Sequence, residues 1–197
     1  PARVVNEERG LYQVQSALDD VRWASVSGKM QFSAKCRADF PAVGDWVAVE
    51  FANTQDRGVI QGIYPRKSVV QRKQIGSTAD TQILASNVDY VFVTTSVNED
   101  LNFRRIERYL TLVWESGAVP VILLTKADIL EDVLSVIQEV ERQFPGVDVF
   151  PVSKNDFAEA DFFKKYLKQG KTSVFIGSSG VGKSTLVNFL SGVENER

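Results

Sequence analysis

A glycine-rich segment near the end of the 197-residue chain has the spacing of a phosphate-binding loop. It matches the pattern G-x-x-x-x-G-K-[ST], with an apolar segment before it and an amphipathic segment after it. Glycines let a backbone wrap around a phosphate with its amides pointing inward, and a following helix adds its dipole. This context disfavours the alternative, a flexible Gly/Ser connection. The matching residues are Gly177, Ser178, Ser179, Gly180, Val181, Gly182, Lys183, Ser184 and Thr185.

Two side chains of this loop carry its predicted chemistry. Lys183 can reach the outer phosphates of a nucleotide and stabilise the charge of a departing phosphoryl group, so it is the predicted catalytic residue. The hydroxyl of Ser184 is predicted to help hold Mg²⁺, which prefers oxygen ligands. The sequence has no histidine and one cysteine, Cys36, which leaves no plausible zinc site and no histidine general base in this chain.

A second motif, Thr125, Lys126, Ala127 and Asp128, follows an apolar segment upstream of the phosphate loop. A carboxylate at Asp128 can accept hydrogen bonds from N1–H and the amino group of guanine, a pair that adenine does not offer. The stem of Lys126 can lie along the base plane. The alternative for Asp128 is a helix N-cap, but the phosphate loop in the same chain favours base reading. Ser153, with Lys154 after it, ends the next apolar segment, where a second base-contacting loop belongs.

The elements that must position these residues differ between the two halves of the chain. With 44% hydrophobic and 24% charged residues, the composition is that of a globular protein. The first part reads as short strands rich in Val, Trp, Phe and Tyr, separated by turn residues, which predicts a small closed barrel of the OB type over residues 1–73. The predicted strands are residues 11–14, 21–26, 30–34, 45–51, 58–64 and 68–71.

The barrel half contains residues that could bind nucleic acid. Trp23 and Trp46 could be stacking platforms for bases, although large aromatic side chains more often fill small β cores, which is the favoured interpretation. The run from Arg66 and Lys67 to Arg72 and Lys73 could contact phosphates or lie at a solvated strand end, and the sequence does not separate the two. The first 75 residues carry a small excess of basic side chains and the rest an excess of acidic ones.

The second part of the chain alternates apolar strands with amphipathic helices. Residues 74–86 are predicted to be a linker, and residues 87–197 a nucleotide-binding α/β domain. Such alternation indicates a parallel sheet covered on both faces, which binds ligands at the carboxyl ends of its strands. Both motifs follow such ends. The predicted strands are 90–94, 119–124, 147–152 and 173–176, and the predicted helices are 103–116, 130–143, 156–168 and 183–191.

The order of the motifs is unusual, because the base motif precedes the phosphate loop, whereas ordinary GTPases have the phosphate loop first. A circularly permuted GTPase fold behind a strand-rich domain resembles the small ribosomal subunit biogenesis GTPases, the RsgA family, also called YjeQ. The segment from Pro41 to Val47, the triplet Asn87-Val88-Asp89 and the Arg108-Tyr109-Leu110 helix also resemble that family. The likeness covers essentially the whole chain.

The resemblance implies a GTPase that hydrolyses GTP slowly with Mg²⁺, is strongly stimulated by the small ribosomal subunit and acts late in its maturation. It implies ribosomal RNA binding through the OB domain, a Zn²⁺ site in a further C-terminal domain, a cytoplasmic location and a monomer. No run of about 20 apolar residues suggests a membrane span. The alternatives are an RNA-binding module with a nucleotide-binding scaffold and an ATP-dependent P-loop enzyme.

Two features depart from the family pattern. The base motif begins with Thr125 where the family has asparagine. A hydroxyl can still donate to a base nitrogen, but it lacks the second group of the amide, so a loss of tighter loop packing is expected. The Mg²⁺-contacting switch threonine and the Asp-x-x-Gly segment are expected after Arg197, so the chain is expected to be a piece of a longer protein, trimmed also before Pro1. Residues 1–197 alone are then expected to be nearly inactive in hydrolysis.

Overall fold

The computed structural model describes residues 1–17, 20–52, 57–73, 81–98, 101–153 and 161–192. The chain divides into two compact units, Pro1–Val88 and Asp89–Arg197. Part of the predicted linker, residues 74–80, lies outside the described residues. The remainder of it, residues 81–86, is a β-strand of the first unit rather than a linker.

The first unit contains a closed five-stranded barrel with the strand order β1-β2-β3-β5-β4. Strands β1 to β3 form an antiparallel meander, β3 runs parallel to β5, and β4 pairs antiparallel with both β5 and β1. This architecture confirms the predicted OB-like barrel. The strands are β1 (Ala2–Glu8), β2 (Leu11–Gln15), β3 (Val21–Val26), β4 (Trp46–Phe51) and β5 (Arg57–Ile63).

The core of the barrel follows from strand alternation, because every second side chain points inward. The fully buried members are small and medium aliphatic residues together with a single tyrosine. They are Ala2, Val4, Tyr12, Val14, Ala24, Val47 and Ile60.

One strand predicted for the barrel is a helix, and one strand of the barrel was not predicted. Of the strand predicted over residues 30–34, residues 30–33 belong to helix α1 (Gly28–Ser33), and Ala34 caps its end. The helix begins where the Ser27 hydroxyl accepts a hydrogen bond from the Met30 amide at 3.2 Å. The alternation of apolar Met30 and Phe32 with polar residues is typical of a strand, but Met30 packs on the core while Phe32 is 94% exposed. Strand β1 was missed, because its charged residues weaken the apolar signal.

Strands β6 (Val69–Lys73) and β7 (Thr81–Ser86) form a separate antiparallel pair outside the barrel. The sequence had placed residues 68–71 in the barrel. The end of β7 is fixed by the turn before β4: the Ser86 amide donates to the Val43 carbonyl at 2.9 Å, and the Asn87 side-chain amide donates to the Gly44 carbonyl at 3.0 Å. Gly44 has a φ of +95°, and a Cβ there would lie 2.1 Å from the Ser86 carbonyl oxygen, so this close approach requires glycine.

Arg66 is a structural residue and not a phosphate contact, which corrects one reading of the basic run. Its guanidinium makes a bidentate pair with the fully buried Asp45, at 2.8 and 2.7 Å, and also donates to the carbonyls of Ala38 and Phe40. A buried carboxylate needs such a partner. Lys67 and Arg72 are exposed, so they fit either a phosphate contact or a solvated strand end.

The second unit is built on a parallel four-stranded sheet with the order β10-β9-β8-β11. The strands are β8 (Tyr90–Ser96), β9 (Val119–Thr125), β10 (Asp148–Val152) and β11 (Ser173–Ile176). The helices are α2 (Phe103–Ser116), α3 (Val133–Gln143), α4 (Phe163–Tyr166) and α5 (Lys183–Ser191).

The predicted helices over 103–116 and 183–191 agree with α2 and α5 at both ends. Helix α3 begins three residues later than predicted, because Asp132 caps it by accepting from the Ser135 amide at 3.1 Å. The predicted helix over 156–168 reduces to α4 among the described residues, and residues 156–160 lie outside them.

Both faces of this sheet are covered. On one face Phe92, Val121 and Leu123 pack against α4 and α5. The residues that alternate with them, Val93 and Ile122 among others, are equally buried, so they face the other layer, as a doubly covered parallel sheet requires. Among the described helices, none is long and apolar enough to span a membrane.

Candidate functional site

The phosphate loop connects β11 to α5 and rests on the neighbouring strand. Gly177 directly follows β11 with a φ of +153°, and a Cβ at this position would lie 2.1 Å from the carbonyl oxygen of Thr94 in β8. Only glycine permits this contact, so the loop begins in direct backbone contact with β8 at the carboxyl end of the sheet. Helix α5 begins at Lys183, directly after Gly182, and its amino terminus favours an anion at the loop.

The ammonium group of Lys183 is held inside the loop by its own backbone. The Nζ atom donates to the carbonyl oxygens of Gly177, at 3.0 Å, and Ser178, at 2.5 Å. Since an ammonium group has three donors, one remains for a phosphate oxygen. The backbone of the phosphate loop therefore positions this positive charge.

Thr125, the last residue of β9, joins the base motif to the phosphate loop. Its side chain is buried, and its Oγ1 lies 2.7 Å from the carbonyl oxygen of Val181 and 3.3 Å from that of Thr95. A hydroxyl has one proton, so the shorter contact with Val181 is the hydrogen bond. In the structure this hydroxyl therefore donates to the phosphate loop rather than being free for a base nitrogen, and it connects the two loops.

Asp128 lies just beyond this junction and is not a helix cap. Lys126 adopts a left-handed conformation with a φ of +57°, and Ala127–Ile129 form a single 3₁₀ turn. The cap of α3 is Asp132, which removes the N-cap alternative for Asp128. Among the described residues none donates a hydrogen bond to the Asp128 carboxylate, which is exposed at the wall of a cavity.

That cavity, of about 400 Å³, brings the two motifs together. Thr125, Lys126 and Asp128 line one side of it, and residues of the phosphate loop and α5 line the other. Three apolar lining residues, Ile129, Val152 and Leu186, were not predicted as site residues. The first two are adjacent to predicted site residues, and the third lies in the helix that follows the phosphate loop. The full lining is Thr125, Lys126, Asp128, Ile129, Val152, Gly180, Val181, Gly182, Thr185 and Leu186.

Lys183 and Ser184 line a second cavity, of about 410 Å³, along β11. The structure therefore does not place these two side chains in the wall of the first cavity. Five other predicted site residues line neither cavity: Ala127, Ser153, Gly177, Ser178 and Ser179. Ser153 is buried at the end of β10, next to Val152, and Lys154 lies outside the described residues.

The residues present suit Mg²⁺ only together with a nucleotide. No group of three or more acidic, cysteine or histidine side chains that could hold a metal occurs in the part of the chain that the structure describes. Mg²⁺ commonly takes one or two protein oxygens, several waters and the phosphates of its substrate. Ser184 supplies one exposed hydroxyl at the start of α5, which fits that coordination.

Replacing Thr125 by valine is expected to loosen the junction between the two loops. Valine keeps the shape of threonine but leaves the buried carbonyl of Val181 without its donor, which costs about 1–3 kcal/mol. We expect a lower midpoint of denaturant unfolding and weaker GDP binding. Serine at the same position keeps the hydroxyl and is the matched control. Equal stability and affinity of the valine and serine variants would show that the hydrogen bond has no such role.

The comparisons with known proteins agree with this geometry. The family model described as RsgA GTPase matches residues 63–197. A relative from Lactiplantibacillus plantarum named small ribosomal subunit biogenesis GTPase RsgA 2 is 42% identical, over 96% of this chain and 53% of its own. One from Oceanobacillus iheyensis, named RsgA 1, is 41% identical over 96% and 54%. The chain thus spans about half the length of these curated relatives.

Two solved structures share the fold. YjeQ from Thermotoga maritima has a TM-score of 0.74 at 24% identity, covering 100% of this chain and 65% of its own. YloQ, described as a circularly permuted GTPase, has a TM-score of 0.70 at 28% identity, covering 98% and 64%. The predicted fold, an OB-like barrel followed by an α/β GTPase domain in permuted order, is confirmed.

Proposed function

The chain belongs to the RsgA GTPase family, and from this premise we propose that the protein binds and hydrolyses GTP in the late maturation of the small ribosomal subunit. The names of the relatives support the assignment, since they are small ribosomal subunit biogenesis GTPases. This role in subunit maturation would place the protein in the cytoplasm, with GTP, GDP and the small subunit as its partners and a monomer as its working form.

The observation that carries the proposal is the hydrogen bond from Thr125 to the Val181 carbonyl, at 2.7 Å. It joins a base-reading loop and a phosphate loop at the wall of one cavity, although the two residues are far apart in the chain. A site that binds only phosphate would not need this connection. A nucleotide needs its base and its phosphates held at a fixed separation, and this contact sets that separation.

The base end of the site is assigned to residues 125–128. The Asp128 carboxylate accepts from N1–H and the amino group of guanine, as its exposure at the cavity wall allows. The stem of Lys126 lies along one face of the base, and Ile129 offers apolar surface close by. Ala127 supplies backbone, and Ser153 belongs to the second base loop.

The phosphate end is assigned to residues 177–185. Backbone amides of Gly177, Ser178, Ser179, Gly180, Val181 and Gly182 surround the phosphates, with Lys183, Ser184 and Thr185 at the start of α5. Lys183, already held by two carbonyls, stabilises the charge that develops on the transferred phosphoryl group. Ser184 would hold Mg²⁺, which when bound neutralises phosphate charge.

The barrel is proposed to contact ribosomal RNA. The OB-like architecture supports this, since such barrels often bind oligonucleotides.

The proposal is tested by measuring phosphate release from GTP by the intact protein, with and without purified small ribosomal subunits. We expect slow release alone and a rise of at least about tenfold with small subunits, because the partner completes the arrangement of water and charge around the γ-phosphate. Large subunits and ATP are the matched controls. Equal turnover of ATP and GTP, or stimulation by large subunits alone, would contradict the proposal.

A further inference from the structure

Two exposed aromatic side chains and one guanidinium lie in a single row on the outer surface of the barrel. Trp46 begins β4 and Tyr64 directly follows β5, and they are 45% and 46% exposed. The Tyr64 amide donates to the Trp46 carbonyl at 2.9 Å, and Arg3 of β1 is the register partner of Trp46. We call these three residues the aromatic row.

The aromatic row lies on the side of the strands that faces away from the barrel core. Val47, next to Trp46, is fully buried in the barrel core, so the indole points away from it. The guanidinium carbon of Arg3 lies 5.7 Å from the centroid of the Trp46 ring, within reach of a cation–π contact. The core position favoured for Trp46 from its residue type is therefore wrong.

Small residues form the surface beside the aromatic row on β4 and β5. The next register pair of β4 and β5 on the outer side of the barrel, two residues along from Trp46, is Ala48 with Gly62, and a Cβ at Gly62 would meet nothing within 4 Å. Further along, the carboxylate of Glu50 accepts from the Gln61 side chain at 2.9 Å. Small residues therefore leave the two rings accessible from the side, and the acidic group on this face already has a donor.

These features suit a planar, negatively charged ligand better than an apolar protein surface. The rings can stack on bases of any sequence, and the guanidinium can meet a neighbouring phosphate. A protein partner would favour a larger continuous apolar patch, whereas on β4 and β5 the neighbours of the row are the small pair Ala48 and Gly62 and the polar pair Glu50 and Gln61. The slight basic excess of the first 75 residues points the same way.

We propose that the aromatic row of Arg3, Trp46 and Tyr64 is a stacking site for unpaired RNA bases. This rests on the proposed function, in which the barrel contacts ribosomal RNA, and deepens it by naming the face. Barrels of this class usually bind oligonucleotides on the face of their second and third strands. Here that face carries Trp23, which is half-buried on β3, while the aromatic row lies on the first, fourth and fifth strands.

The test is binding of a fluorescein-labelled, single-stranded oligouridylate of about 12 nucleotides to the full chain at low salt. Loss of a stacking ring weakens binding about fivefold or more, so we expect this for Trp46→Ala and for Tyr64→Ala, and a larger loss for the double variant. Trp46→Phe keeps a ring and should bind within about threefold of the parent. Trp114→Ala removes another exposed tryptophan, from α2 in the second unit, and should change nothing.

Several results would overturn the proposal: no binding by the parent chain, parental affinity in the double variant, or a loss caused by Trp23→Ala but not by Trp46→Ala. Loss of small-subunit association with unchanged oligonucleotide binding would also overturn it, because the face would then meet protein. Thermal unfolding of each variant confirms that the barrel is folded. GDP binding by the same variants is expected to be unchanged, so failure of the nucleotide assignment would be seen separately.

Discussion

Replacing Lys183 by alanine is expected to abolish GTP hydrolysis by the intact protein, with a loss of at least about 100-fold in turnover with small subunits present. A positioned charge at the developing phosphoryl negative charge is worth that much in comparable sites. The ammonium is held in place by the carbonyls of Gly177 and Ser178, so the alanine variant loses a charge that the loop has positioned. The measurement is phosphate release under single-turnover conditions.

Lys164→Ala is the matched control, because Lys164 is exposed and only pairs with Asp161 on the surface. It should leave turnover unchanged. Both variants should unfold at the parental temperature. If the Lys183 variant kept turnover within about tenfold of the parent, the phosphate loop would not be the site of the reaction.

Changing Asp128 to asparagine is expected to convert the preference for guanine into one for xanthine. The new amide oxygen still accepts from N1–H, but its NH₂ group faces the guanine amino group, while xanthine offers a carbonyl there. Loss of a charge-assisted pair costs about 1.5–3 kcal/mol, so GTP affinity should fall about 10- to 150-fold. Titrations with GTP and XTP measure both effects.

Glu131→Gln is the control for this variant, since Glu131 is a nearby exposed acid that does not line the cavity. It should keep the GTP preference of the parent. An Asp128→Asn variant with unchanged preference would remove Asp128 from the base site. A loss of both nucleotides would instead indicate that the loop had changed its conformation.

Local chemistry explains which elements could be predicted from the sequence. Three features adjoin in the sequence: the apolar segment of β11, the glycines of the phosphate loop and the amphipathic pattern of α5. The boundaries of these elements are therefore determined by residues close to them. The same holds for α2, where Asn102 caps the helix by accepting from the Arg105 amide at 3.0 Å. Base reading by Asp128 is still a prediction, although the structure removes its main alternative.

Contacts between distant parts of the chain explain the rest. No local pattern indicates that the Thr125 hydroxyl donates to Val181, because the two residues meet only once β9 and the phosphate loop lie at the same edge of the sheet. The position of β7 likewise involves a distant contact, since the Ser86 carbonyl at its end lies against Gly44. The outward position of Trp46 depends on how the barrel closes, since strand alternation alone offers either face.

The central claim is that one site, formed by the base motif and the phosphate loop, selects guanine nucleotides. The most direct measurement is equilibrium binding of a fluorescent GDP analogue to the 197-residue chain, followed by competition with GDP and ADP. Because both loops lie within this chain, we predict saturable binding of one nucleotide per chain. Unlabelled GDP should displace the analogue, and an excess of ADP of about 100-fold should not, as expected when Asp128 pairs with guanine alone. Equal displacement by GDP and ADP would contradict the account.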